Sequence, residues 1–111
     1  MATVQIKPLS VNQCWQGRRF KTKAYQSYEK EMILRLKKEK LPEPPFKIVV
    51  VFGFSNKASD IDNPLKPLLD IVQKKYKKKF NDKDIYQMII YKQVVKKGKE
   101  FVRFAIYNID D

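Results

Sequence analysis

The segment Asp60-Ile61-Asp62-Asn63-Pro64-Leu65-Lys66 holds the residues whose types and spacing best suit chemistry. In extended backbone successive side chains alternate sides, so Asp60 and Asp62 point the same way and their carboxylates face one point. Like charges that close destabilise a fold unless a cation sits between them. Hard divalent cations such as Mg²⁺ favour oxygen donors and accept one or two carboxylates together with substrate phosphate oxygens. Lys66, in the first turn of a helix beginning near Pro64, is placed to orient a water or to stabilise charge building on a phosphoryl group. A third acid is available at Asp82 or Asp84, in Asn81-Asp82-Lys83-Asp84, and the residues alone do not choose between them. Each acid also has a plainer use. An Asp before a helix caps it, Asp70 suits an i, i+4 ion pair with Lys66, and Asp82 and Asp84 suit a turn.

Composition narrows the chemistry further. The 24 Lys and Arg outnumber the 12 Asp and Glu, giving a net charge of +12 on 111 residues. Such a field favours a polyanionic partner. Histidine is absent and Cys14 is the single cysteine, which excludes histidine-based hydrolases, an internal disulfide and the usual zinc sets. Any metal is therefore held by oxygen. With 43% hydrophobic residues and three glycines the chain reads as one packed domain spanning residues 1–111. No apolar run approaches the about 20 residues of a membrane span, and the first residues lack a signal-peptide pattern, so the expectation is a cytoplasmic protein without a membrane partner.

The elements that must position these residues follow from hydrophobic periodicity. Thr3 to Lys7 alternates and ends at Pro8, as a first strand. Tyr25, Tyr28, Met32 and Leu36 recur at helical spacing within about Thr22 to Lys40. Phe46 to Phe54 is β-branched and aromatic enough for a central strand buried on both faces. Asn63 is a suitable N-cap and Pro64 a suitable first residue for a second helix reaching about Lys78, with Leu65, Leu68, Leu69, Val72 and Tyr76 as its apolar stripe. Ile85 to Val95 and Glu100 to Tyr107, joined by the turn at 96–99, read as an antiparallel hairpin. The predicted order is strand, helix, strand, helix, strand, strand. The fold class is α/β in the broad sense (α+β), with one mixed sheet of about four strands and two helices.

The pattern Asp60-Ile61-Asp62-Asn63 with Lys66, Asp70 and a downstream Asn81-Asp82-Lys83-Asp84-Ile85 resembles the RusA family of four-way (Holliday) junction resolvases, often found in prophages. The segment Lys7 to Thr22 is similar to that family's N-terminal loop, and the likeness runs over roughly residues 5–107. The resemblance implies a bacterial or phage-encoded homodimeric endodeoxyribonuclease that nicks paired strands of branched DNA in recombination and repair, with Mg²⁺ or Mn²⁺ and no small-molecule cofactor. It implies Asp60, Asp62 and Asp82 as metal ligands, Lys66 as the catalytic lysine, and Asn63 and Asp70 as supporting residues. It also selects Asp82 over Asp84. Arginines commonly precede the paired acids in that family, whereas this chain offers Lys57.

The basic residues expected to meet DNA are Arg18, Arg19, Lys21, Lys23, Lys57, Lys74, Lys75, Lys77, Lys78 and Lys79. The competing expectation is a basic nucleic-acid-binding module without catalysis, which would use the same cations and keep its acids for structure.

Overall fold

In the computed structural model, residues 2–17 and 20–111 are described. Arg18 and Arg19, both expected to contact DNA, lie outside them.

Strand β1 (Ala2–Val4) is followed by a two-rung ladder of β2 (Trp15–Gln16) and β3 (Phe20–Lys21). Helix α1 (Lys23–Arg35) begins where Thr22 Oγ1 accepts the Tyr25 amide, a side-chain cap that satisfies one otherwise orphaned donor. It buries Tyr25, Tyr28 and Met32. The helix ends earlier than expected because buried Leu36 turns to extended backbone and the next four residues, Lys37 to Lys40, are exposed charges with nothing to bury. β1 is also shorter than expected, since the Gln5 carbonyl accepts the Arg35 guanidinium at 2.8 Å.

Strand β4 (Phe46–Phe54), helix α2 (Leu65–Tyr76), strand β5 (Ile85–Val94) and strand β6 (Phe101–Asn108) complete the chain. The fold is α+β, a mixed four-stranded sheet ordered β1-β6-β4-β5 with two helices. β4 pairs with β5 in parallel and with β6 antiparallel. The expected hairpin of the last two strands is therefore corrected: β5 and β6 flank β4 instead of pairing. The physical reason is the crossover. A helix between two strands returns the chain to run parallel with the first, so α2 places β5 beside β4, and β6 takes β4's other edge.

The expectation that β4 is buried on both faces is also corrected. Phe46, Ile48, Val50 and Phe52 are buried against both helices, with Met32, Leu68, Ile71 and Val72 among the core. Lys47, Val49 and Val51 on the opposite face are only half-buried, because neither α1 nor α2 covers that side. Phe80 stacks on Phe46 with ring centroids 5.4 Å apart and is almost wholly buried. That contact anchors the chain two residues before Asp82, so the core fixes where the acidic turn emerges.

Candidate functional site

Two loops and the start of a helix build the site. After Phe54 the chain forms a compact turn in which Asn56 Oδ1 accepts the Ala58 amide and the Ser59 hydroxyl. The Lys92 ammonium, reaching from β5, donates to the Lys57 carbonyl at 2.8 Å and to the Ser59 carbonyl, and lies 5.8 Å from the Phe54 ring centre. The residue before Asp60 is thus tied to the sheet. Asp60 Oδ2 accepts from Asn63 Nδ2 at 3.3 Å. Asn63 was expected to cap α2, but Pro64 occupies that position without a side-chain bond and the Leu65 amide bonds the Asp62 carbonyl instead. The Asn63 side chain serves Asp60. Its carbonyl accepts the Val11 amide at 2.9 Å, which docks the N-terminal loop on the same turn.

Lys66, one helical turn beyond Asp62, is the centre of the acidic group. Its ammonium lies 3.1 Å from Asp70 Oδ1 and 3.6 Å from Asp82 Oδ2. The hydrogen bond to Asp70, reinforced by the charges of Asp70 and Asp82, holds its pKa above the ordinary lysine value, so it is cationic at neutral pH. Asp82 is further fixed by its own amide, which donates to Gln73 Oε1 of α2, and by Asn81, whose side chain caps the 3₁₀ turn Asp82–Asp84.

The structure therefore brings Lys66, Asp70 and Asp82 together. Asp60 and Asp62 are exposed on the turn just before, and among the described residues no hydrogen bond or ion pair joins them to that trio. Among the described residues no three His, Cys, Asp or Glu side chains stand close enough to hold one ion together. Asp84 lines a separate cleft of about 420 Å³ with Lys40, Pro42, Lys78 and Lys79. The acids around Lys66 offer oxygen donors alone, the donor type a hard divalent cation takes, and the Lys66 ammonium fills the space between Asp70 and Asp82.

The expected basic residues divide by what they touch. Lys21 and Lys74 both bond Glu29 of α1, at 2.9 and 2.7 Å, and Lys75 donates to the Ile33 carbonyl. Burial raises the Glu29 pKa, but the hydrogen bonds from Lys74 and Lys21 outweigh it and hold the carboxyl below its usual value. These three lysines brace one element against another. Lys23, Lys57, Lys77, Lys78 and Lys79 are exposed. Lys77 has φ 54° and ψ −126°, backbone that a residue with a Cβ rarely adopts and that costs about 1–3 kcal/mol. Periodicity alone did not reveal Lys92. The available signal was its parity: it falls on the side of β5 shared by Met88 and Ile90, the latter packed on the core, where a charge must find acceptors.

Compared with models of known protein families and with curated proteins, the chain matches none. Among the described residues no helix is long and apolar enough to cross a membrane.

Proposed function

We propose that the chain is a divalent-metal-dependent endodeoxyribonuclease that nicks branched DNA, four-way junctions above all, as a homodimer. The observation that carries this reading is the Lys66 ammonium set between Asp70 and Asp82 one turn after the Asp60-Ile61-Asp62 segment. A cation beside exposed carboxylates meets two needs of phosphodiester hydrolysis, neutralising a phosphoryl oxygen and leaving acidic ligands for metal. Asp60, Asp62 and Asp82, which stand too far apart here to share one ion, would have to draw together to hold Mg²⁺ or Mn²⁺, which would supply an acidified water and stabilise the leaving oxygen. Lys66 turns from the carboxylates toward the phosphate as substrate arrives. Asp70 and Asn63 hold Lys66 and Asp60 in place. The net charge of +12 collects DNA around an acidic centre.

Homodimerisation fits the uncovered sheet face. By register, Val49, Val51, Ile89, Tyr91, Ala105 and Tyr107 share it, with Lys47 and Arg103 as its charges. Ile89, Tyr91 and Tyr107 are exposed there, so two strongly basic copies meet where charge is sparse. Two-fold symmetry of the dimer also matches the near two-fold symmetry of a four-way junction.

One observation favours a second reading, a basic module that binds nucleic acid without cutting it: Lys66 already neutralises Asp70 and Asp82, and among the described residues no three-acid group is formed. A metal-titrated cleavage assay on four-way, flap and linear DNAs separates the two. Nicking that requires Mg²⁺ or Mn²⁺ and is lost in Asp62→Asn, with junction binding retained, supports the nuclease. Binding without nicking under every metal tested leaves the second reading standing.

A further inference from the structure

Lys77 sits where a lysine is conformationally costly. Its φ of 54° and ψ of −126° match the first central position of a type II′ turn, where glycine dominates because a Cβ crowds the backbone. A segment selected for the turn alone would carry glycine. The helix dipole does not explain the lysine either, since Lys74 and Lys75 already occupy the last turn of α2 and Lys78 and Lys79 follow it. Strain kept at one residue points to what that side chain does.

Position supplies the second observation. Lys66, Asp70, Gln73 and Lys77 follow one another at spacings of four, three and four, one stripe along α2 and its C-terminus. Asp70, Gln73, Lys74 and Lys77 line a cleft of about 340 Å³, and Asp70 is the ion-pair partner of Lys66. Lys74 is held by Glu29 at 2.7 Å, which leaves Lys77 as the exposed cation at the far end of the stripe. At about 1.5 Å per residue Lys77 lies about 16 Å along the axis from Lys66. A DNA strand winds around the duplex axis while rising about 3.4 Å per nucleotide, so phosphates lie farther apart along the strand than that rise and this distance spans only a few nucleotides.

We propose that α2 is the track of one DNA strand, with Lys77 holding a backbone phosphate a few nucleotides from the phosphate at Lys66, and that the strained backbone is retained for this contact at the expense of stability. The inference rests on the reading of the chain as a DNA-binding protein. It adds which phosphate a single lysine holds and why that lysine is not glycine.

The test measures melting temperature and DNA affinity on the full chain, using a fluorescein-labelled four-way junction and a linear duplex without divalent metal, at several salt concentrations. Lys77→Gly should melt several degrees higher than wild type. It should also bind about threefold to tenfold more weakly, with a salt slope shallower by about one charge. Lys77→Ala should lose the same affinity without the gain in melting temperature, because the strain stays. Lys78→Gly should not raise the melting temperature. Wild-type binding with Lys77→Gly within twofold of it, or Lys77→Gly melting at or below wild type, overturns the inference alone. Wild type that retains neither DNA overturns the DNA-binding reading and the inference with it.

Discussion

The Lys66 ammonium lies 3.6 Å from Asp82 Oδ2, joining the first turn of α2 to the 3₁₀ turn that precedes β5. Two parts of the chain separated by the whole of α2 therefore meet through one flexible side chain. Lys66 is 60% exposed, so this contact contributes little to stability, within about 0.5 kcal/mol, and its value is to the site. Lys66→Met is expected to melt within a degree or two of wild type while nicking falls about a hundredfold or more. Thermal denaturation and single-turnover cleavage of a junction, measured side by side, check this. Since the Lys66 pKa is raised, its ion pairs are present below the ordinary lysine value and are lost only as pH rises through the higher folded value. Rate changes between pH 6 and 9 should accordingly persist unchanged in Lys66→Arg.

Glu29 ties Lys21 and Lys74 to α1 and is only 14% exposed. Its pKa is lowered from the ordinary carboxylate value, so its contribution is present above that value and is lost as pH falls through the lower folded one. Glu29→Gln should destabilise the fold by about 1–2 kcal/mol at pH 7. Urea unfolding at a series of pH values should show the two proteins converging in acid, and a gap that stays constant to pH 2 contradicts the assignment.

Gly53 lies beneath the Phe101 ring, and a Cβ there would overlap ring carbons. Gly53→Ala should therefore cost about 1–3 kcal/mol through displacement of Phe101 and its stacked Arg103 guanidinium, 4.8 Å from the ring centre. A melting temperature equal to wild type would mean that the ring swings aside freely.

Lys92 holds the Lys57 and Ser59 carbonyls. Lys92→Met should loosen the turn ahead of Asp60, seen as faster amide exchange over residues 57–60. The maximal nicking rate should fall while junction affinity stays within about twofold, as expected when positioning and not charge attraction is lost. Lys92→Arg, which can still donate to carbonyls, should recover part of the rate.

The open sheet face predicts association. Ile89 is 36% exposed and Tyr91 54% exposed, on adjacent positions of one side of β5. Ile89→Asp and Tyr91→Asp should each shift the protein toward monomer in light scattering and slow paired nicking more than single nicking. A wild-type protein that is monomeric at micromolar concentration removes the dimer from the proposed function.

Periodicity revealed both helices, the central strand and the two last strands within a few residues, because each carries a continuous apolar pattern of its own. What it could not show was who pairs with whom. The turn at 96–99 reads as a hairpin turn, and the competition that decided otherwise is between whole elements: α2 needs a parallel neighbour for β4, and β4's free edge then attracts β6. The open face of β4 was missed for a related reason. Val49 and Val51 are as apolar as Val50, and whether a residue is covered depends on where helices land. Within the site, Lys66 and Asp70 were legible from their spacing. The Lys66–Asp82 contact and the Lys92 clamp were not, since long side chains cross between elements whose separation no local pattern encodes.

The bond from the Val11 amide to the Asn63 carbonyl carries an optical consequence. Trp15, the sole tryptophan, follows four residues later and meets Tyr25 edge-on at 5.7 Å. Its emission spectrum accordingly watches the loop docked on the acidic turn, giving a built-in fluorophore for following that turn in stopped flow with no label attached.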